Sequence, residues 1–283
     1  MHRALKLPLV ALLALLALLG GCATTTPGGV PIDTSHPSKA QDSRVLFLIL
    51  HYTVGSYESA LRTLTEGNVS AHYLVSDESP PRILRLVPEE RRAWHSGASG
   101  WQRHRLLNSS SIGIEIVHPG FTLKAPDAAG RRERVYLPFP EAQIDALIPL
   151  VRDIVQRHRI RPERILGHGE VTPAYKEDPG PTFPWRRLAE LGITPPWPDE
   201  ARVRERQAVY EVAVPQPEWF QRKLAQHGYP IDADAALDRP EQRRLLQRVL
   251  MNFQMRYRPT RFDGEPDAES AALLDVLTQH EAP

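Results

Sequence analysis

Three short segments of this chain carry residue types that bind hard cations and move protons. Leu50-His51-Tyr52-Thr53 sets a histidine at the end of an apolar run, and Gly167-His168-Gly169-Glu170 sets a second after Ile165-Leu166. Lys176-Glu177-Asp178-Pro179-Gly180 offers a carboxylate. Singly each has an ordinary explanation: a strand-end histidine is often hydrogen-bonded structure, and an aspartate before Pro-Gly can be a turn residue. Together His51, His168 and Asp178 supply three N/O donors and leave a fourth tetrahedral place open, the stoichiometry of a catalytic zinc site rather than a closed structural one. The only cysteine is Cys22, so thiolate ligation is not available to the site. A zinc ion so held would polarise a scissile carbonyl and lower the pKa of water to ~7.

Hydrolysis also needs a base and a group that stabilises the oxyanion. Ile112, Ile114 and Ile116 alternate with Gly113, Glu115 and Val117, so isoleucines facing a core would turn Glu115 to the opposite side of the strand. A carboxylate in such a run is costly to bury unless it is paired or functional. Glu115 is therefore a candidate base, with a salt-bridged strand glutamate as the alternative. Lys176 lies two residues before Asp178 and in an extended segment would share its side, which suits an oxyanion role; the alternative is an exposed loop lysine.

These residues need a scaffold. Val45–Leu50 is an unbroken apolar run of strand length. A helix is expected near 57–64, short strands near 72–75 and 83–86, and the clearest helix over 141–158, with Ile144, Leu147, Ile148, Val151, Ile154 and Val155 on one face. Pro149 inside it predicts a kink. The alternation of strands and helices predicts an α/β domain over 43–196, a central mixed sheet flanked by helices. Residues 197–216 read as a proline-bounded linker, and 217–283 as a small three-helix domain built on Trp219/Phe220/Leu224, Leu245–Phe253 and Leu273–Leu277. A bundle of that size is marginally stable alone.

The blocks LHYT, SAHYLV (70–75), AWHSG (93–97), LNSSSIGIEIV (107–117), ILGHGEVTP (165–173) and KEDPGPTFPW (176–185) occur in order and resemble the zinc-dependent type 2 N-acetylmuramoyl-L-alanine amidases. The resemblance implies hydrolysis of the amide between N-acetylmuramic acid, or its 1,6-anhydro form, and the L-alanine of the peptidoglycan stem peptide. It implies zinc on His51, His168 and Asp178, Glu115 as the residue activating the attacking water and Lys176 as the oxyanion stabiliser. His72, Trp94, His95 and Asn108 fall in matching blocks and are expected to line or support the cleft. Glu170 is placed to orient His168, as metal-bound imidazoles usually need a partner. The segment 119–140 matches no motif and is expected to form a loop beside the cleft. A non-catalytic peptidoglycan-binding protein on the same fold is the competing reading; it should have lost a ligand, and all three are kept. No His-Glu-x-x-His or Gly-x-Ser-x-Gly motif is present. The tail resembles peptidoglycan-binding helical modules more weakly, with a packing cap as the alternative.

The N-terminus supplies a location. His2, Arg3 and Lys6 precede an apolar run from Leu7 to Leu19, the pattern of a secretory signal over 1–21. Leu19-Gly20-Gly21-Cys22 resembles a bacterial lipobox, implying acylation of Cys22; two or more chains there would anchor stably. Residues 22–42, rich in Thr, Pro, Gly and Ser, read as a tether. Ala23 beside the lipidated cysteine implies, by likeness to Gram-negative lipoproteins, the outer membrane facing the periplasm. The chain's 283 residues carry a net charge of +1, and loss of Arg3 and Lys6 with the signal leaves −1. Such a balance gives no footprint for nucleic acid. A monomer is expected.

Overall fold

The computed structural model describes residues 23–126, 129–130 and 132–279. The expected signal peptide and Cys22 lie outside the described residues. Among those described, no helix is long and apolar enough to cross a membrane. Of the described residues, those up to Asp42 fall in one compact unit and those from Ser43 onward in another. In the first, Ala23–Thr25 pairs antiparallel with Pro31–Asp33, a local ribbon within what the sequence presents as a plain tether. Residues 25–42 are exposed throughout.

The second unit is built on a five-stranded mixed sheet. Its strands are β1 (Phe47–Tyr52), β2 (Tyr73–Val75), β3 (Ile83–Arg85), β4 (Ser111–Ile116) and β5 (Ile165–Gly167), in the order β5-β1-β4-β2-β3. The first four in that order are mutually parallel, and β3 closes the edge antiparallel to β2. Between β1 and β2 lies α1 (Tyr57–Glu66), capped by Ser56, whose side chain accepts from the Ser59 N–H. Between β4 and β5 lies α2 (Glu141–His158), which buries Ile144, Leu147, Ile148, Val151 and Ile154. It continues unbroken through Pro149, which sits on its exposed side.

Strand parity divides the sheet. Leu48 and Leu50 of β1 join Ile112, Ile114 and Ile116 of β4 in a core against α2. Phe47 and Ile49, one residue out of phase, turn to the opposite face and join a second core. That second core is completed by the C-terminal helices: Phe220 and Leu224 from α6 (Pro217–His227), Val249, Leu250 and Phe253 from α7 (Pro240–Tyr257), and Leu273 and Leu274 from α8 (Ala268–Thr278). The tail helices therefore cover one face of the five-stranded sheet and do not form a core of their own.

Beyond the short helix α4 (Trp185–Glu190), the expected linker holds a further helix, α5 (Glu200–Val212), started by Asp199, whose carboxylate accepts from the Arg202 N–H. It has no fully buried residue. Val203 and Tyr210 are partly buried against the second core, and Arg206 pairs with Asp275 of α8. A helix so polar carries little periodicity, and the flanking prolines disguise it as a connection.

Candidate active site

Parallel strands open a crevice beyond their carboxyl ends, and the register of this sheet fills it with ligating groups. Pairing sets His51 level with Glu115 across β1 and β4. Gly167 pairs with Leu50, so His168 follows at the level of His51 and begins the short helix α3 (His168–Val171). Asp178 is brought in by the loop after α3, where its carbonyl accepts from the Gly169 N–H at 2.8 Å. One Asp178 oxygen, Oδ2, lies 3.3 Å from His51 Nδ1 and 3.2 Å from His168 Nδ1. The ligand atoms of all three lie within 4.8 Å of one another, and all three residues are buried.

The protonation of His51 follows from a chain of contacts behind it. Ser111 Oγ donates its one hydrogen to the Leu107 carbonyl at 2.7 Å, so towards His95 Nε2, 3.0 Å away, it accepts. Burial, reinforced by the neighbouring His51, pushes His95 well below the ordinary histidine range and keeps it neutral. With Nε2 protonated, His95 Nδ1 accepts from His51 Nε2 at 3.0 Å. His51 is itself pushed down to about 4, first by burial and then by His168, so its Nδ1 is left as a bare lone pair aimed at Asp178. Burial alone would raise the Asp178 carboxyl, but His168 beside it holds it below the usual carboxylate range. Lone pairs that converge in a buried place want a cation between them. The donor set of two imidazoles and one carboxylate matches a three-ligand catalytic metal site.

Glu115 stands beside this set, its Oε1 at 4.0 Å from His51 Nδ1. Its Oε2 is buried with no hydrogen-bond partner among the described residues. Burial first, and then Asp178, push its carboxyl up to about 8, with Lys176 opposing. The parity reading thus puts Glu115 where the sequence expects it, on the face away from the isoleucines. Gly113 on that face leaves room for His95: a Cβ there would collide with the imidazole.

A cleft of about 600 Å³ opens over these groups, lined among others by Trp94, His95, Glu115, His168, Lys176 and Asp178. Lys176 and Trp94 are exposed at its wall. Phe121 and Arg134 also line it, so the segment 119–140 stands beside the cleft, as an antiparallel ribbon of Phe121–Leu123 and Arg134–Tyr136 rather than the expected loop. His72 and Asn108 support the cleft from behind its wall. His72 is fully buried, accepting from the Gly113 N–H at 3.0 Å and lying 3.1 Å from the Arg91 carbonyl. Asn108 is a loop clamp, its Oδ1 accepting from the N–H groups of His95 and Ser96 and from Ser96 Oγ. Both hold the wall and do not line it.

Glu170 also takes a different role. Its Oε2 accepts from the Gly167 N–H at 2.7 Å and pairs with Arg256 of α7 at 2.7 Å, and among the described residues it makes no hydrogen bond to His168. Cleft residues that the sequence reading misses are Tyr175, next to Lys176 and 81% exposed, and Arg248 of α7. Adjacency to Lys176 is a signal for the first; the second has none.

The N-acetylmuramoyl-L-alanine amidase family matches residues 41–181. Over 278 residues the chain is 40% identical to the N-acetylmuramoyl-L-alanine amidase AmiD of Escherichia coli K12, covering 95% of this chain and 96% of that one. It belongs to the N-acetylmuramoyl-L-alanine amidase family. The structure of the E. coli AmiD complex with anhydro-N-acetylmuramic acid-L-Ala-D-gamma-Glu-L-Lys superposes at a TM-score of 0.76, with 38% identity over 91% of this chain and 97% of that one. AmpDh3 of Pseudomonas aeruginosa, in complex with anhydromuramic pentapeptide, gives a TM-score of 0.76 and 33% identity over 89% and 99%. The 1,6-anhydro-N-acetylmuramyl-L-alanine amidase AmpD of Salmonella typhimurium LT2 is 33% identical over 44% of this chain and 57% of its own. The amidase fold, mixed sheet with flanking helices, is thereby shared, C-terminal helices included.

Proposed function

We propose that this amidase is a zinc enzyme of cell-wall turnover, cutting the bond between N-acetylmuramic acid, including its 1,6-anhydro form, and the L-alanine of the stem peptide. The observation that carries the zinc reading is the convergence of His51 Nδ1, His168 Nδ1 and Asp178 Oδ2 in a buried place at the floor of the cleft. Zinc there would supply Lewis-acid polarisation of the scissile carbonyl and a more acidic water. Glu115 accepts a proton from the attacking water and returns it to the departing alanine amine; an elevated carboxyl near neutrality suits both steps. Lys176, on the cleft wall, balances the charge that grows on the carbonyl oxygen. His95 holds His51 in the tautomer that presents Nδ1. Complete retention of donors, base and cation favours an enzyme over a non-catalytic wall binder.

The lipobox supports acylation of Cys22 and placement in the outer membrane facing the periplasm, with the chain acting as a monomer on the wall or its fragments. The shared second core favours a tail that braces the amidase over a free-standing wall-binding module. Purified chain should bind about one zinc and convert a muropeptide into free sugar and free peptide. Metal-free protein as isolated, together with no peptide release on zinc addition, would overturn the reading. Incorporation of labelled fatty acid that survives Cys22→Ser would remove the anchor.

A further inference from the structure

Helix α7 reaches the active-site loop through two side chains one turn apart. Asn252 donates to the Lys176 carbonyl at 3.1 Å, and Arg248 Nε donates to the Pro173 carbonyl at 3.0 Å. That second bond fixes the guanidinium at the cleft wall, where Arg248 lies half-buried beside Tyr175 and Lys176. Its two terminal nitrogens have no partner among the described residues. Of the other cleft cations, Arg134 is paired with Glu177 at 2.6 Å and lies over the Phe121 ring, and Lys176 carries the oxyanion role in the mechanism proposed above. The cleft therefore presents one anchored guanidinium with an open fork, and a planar fork of N–H donors matches a carboxylate in a bidentate fashion.

We propose that Arg248 is a specificity-determining residue that binds a free carboxylate of the stem peptide, which makes the C-terminal helix part of the substrate site. This rests on the muropeptide reading above. A stem peptide in which glutamate is linked through its γ-carboxyl, as in the ligand of the E. coli AmiD complex, keeps an α-carboxylate free one residue beyond the alanine. The chain terminus of the stem supplies a second.

The test compares three zinc-loaded assays on the purified chain: a muropeptide with both carboxylates free, one amidated at the γ-linked glutamate, and one amidated at its C-terminus. The wild-type chain should lose about 10- to 100-fold in kcat/KM on one of the amidated substrates, the range of a lost charge-assisted hydrogen bond. Arg248→Gln should show that same loss on the free acid and no further loss on that amide, and Arg248→Lys should recover part of it. Which amide is affected identifies the carboxylate. Equal wild-type rates on all three substrates would overturn the proposal even if no variant folded. So would an Arg248→Gln enzyme slowed by one factor on all three, which is what a purely structural bond to Pro173 predicts. If the wild-type chain releases no peptide from any substrate, the amidase reading itself has failed, a distinct result.

Discussion

Arg256 of α7 and Glu170 of α3 form a buried ion pair, 2.7 Å from Nη1 to Oε2, directly behind the helix that starts with His168. The guanidinium also lies 4.1 Å over the Trp185 ring and donates to the Ile165 carbonyl at the start of β5. The proposed zinc ligand His168 is thus backed by a residue of the C-terminal helices. Gly169 completes the contact, since a Cβ there would strike Asn252 of the same helix.

Removing one member of a buried pair strands the other charge, at about 3–5 kcal/mol. Arg256→Ala should lower the unfolding free energy by that amount, measured by denaturant titration of the purified chain. Replacing both members together, Arg256→Met with Glu170→Met, should recover most of it. A loss below 1 kcal/mol for the single variant would mean that Glu170 finds water instead.

Glu115→Gln keeps the shape of the side chain and removes its ability to take a proton. The variant should retain zinc at the wild-type stoichiometry and lose about 10²–10⁴-fold in kcat, the range of general base catalysis. His168→Ala should instead lose metal and activity together. Zinc content by mass spectrometry beside peptide release by chromatography separates the two, and undiminished turnover in Glu115→Gln would exclude it from the reaction.

Ser111 reaches the proposed metal site through two imidazoles. In Ser111→Ala, His95 Nε2 loses the acceptor that keeps it protonated, and the tautomer presenting His51 Nδ1 is no longer favoured. Zinc affinity should fall by about 10–100-fold, as for other supporting residues of metal ligands. Competition with a chelator measures it; an unchanged affinity would show that His51 needs no such wiring.

Glu115 also sets a pH signature for the metal-free chain. Its folded pKa, up to about 8, lies above an unfolded value of ~4.3, so the folded state holds the extra proton. Stability from this group is full below the unfolded value and is lost as pH rises through the folded one. His51, down to about 4, works the other way: its penalty applies at low pH and disappears as pH rises to ~6.5. The two oppose each other below that point. From pH ~6.5 to 8 Glu115 by itself lowers the unfolding free energy by about 1–2 kcal/mol, against the smaller residual rise from His51 and the other buried histidines His72, His95, His118 and His227. Glu115→Gln removes that contribution, so in thermal melts recorded with chelator the wild-type curve should fall by this amount relative to the variant's over the interval; an equal slope in the two would assign the effect elsewhere.

The sequence by itself determined the donors and their scaffold. A period of two in 111–117 is enough to turn Glu115 away from the isoleucines, because successive side chains of a strand alternate sides. The apolar run before His51 and the amphipathic pattern of 141–158 likewise report which face is buried. They do not report what lies against it. Arg248 meets Pro173 from 75 residues away, and Arg256 meets Glu170 from 86. Such contacts leave no local periodicity, so the pairing of Glu170, the supporting contacts of His72 and Asn108, and the joining of the tail to the sheet through Phe47 and Ile49 were decided only by tertiary packing. Helix α5 was hidden for a related reason, since a helix stabilised by caps and charge pairs rather than by a buried stripe has no hydrophobic rhythm to read.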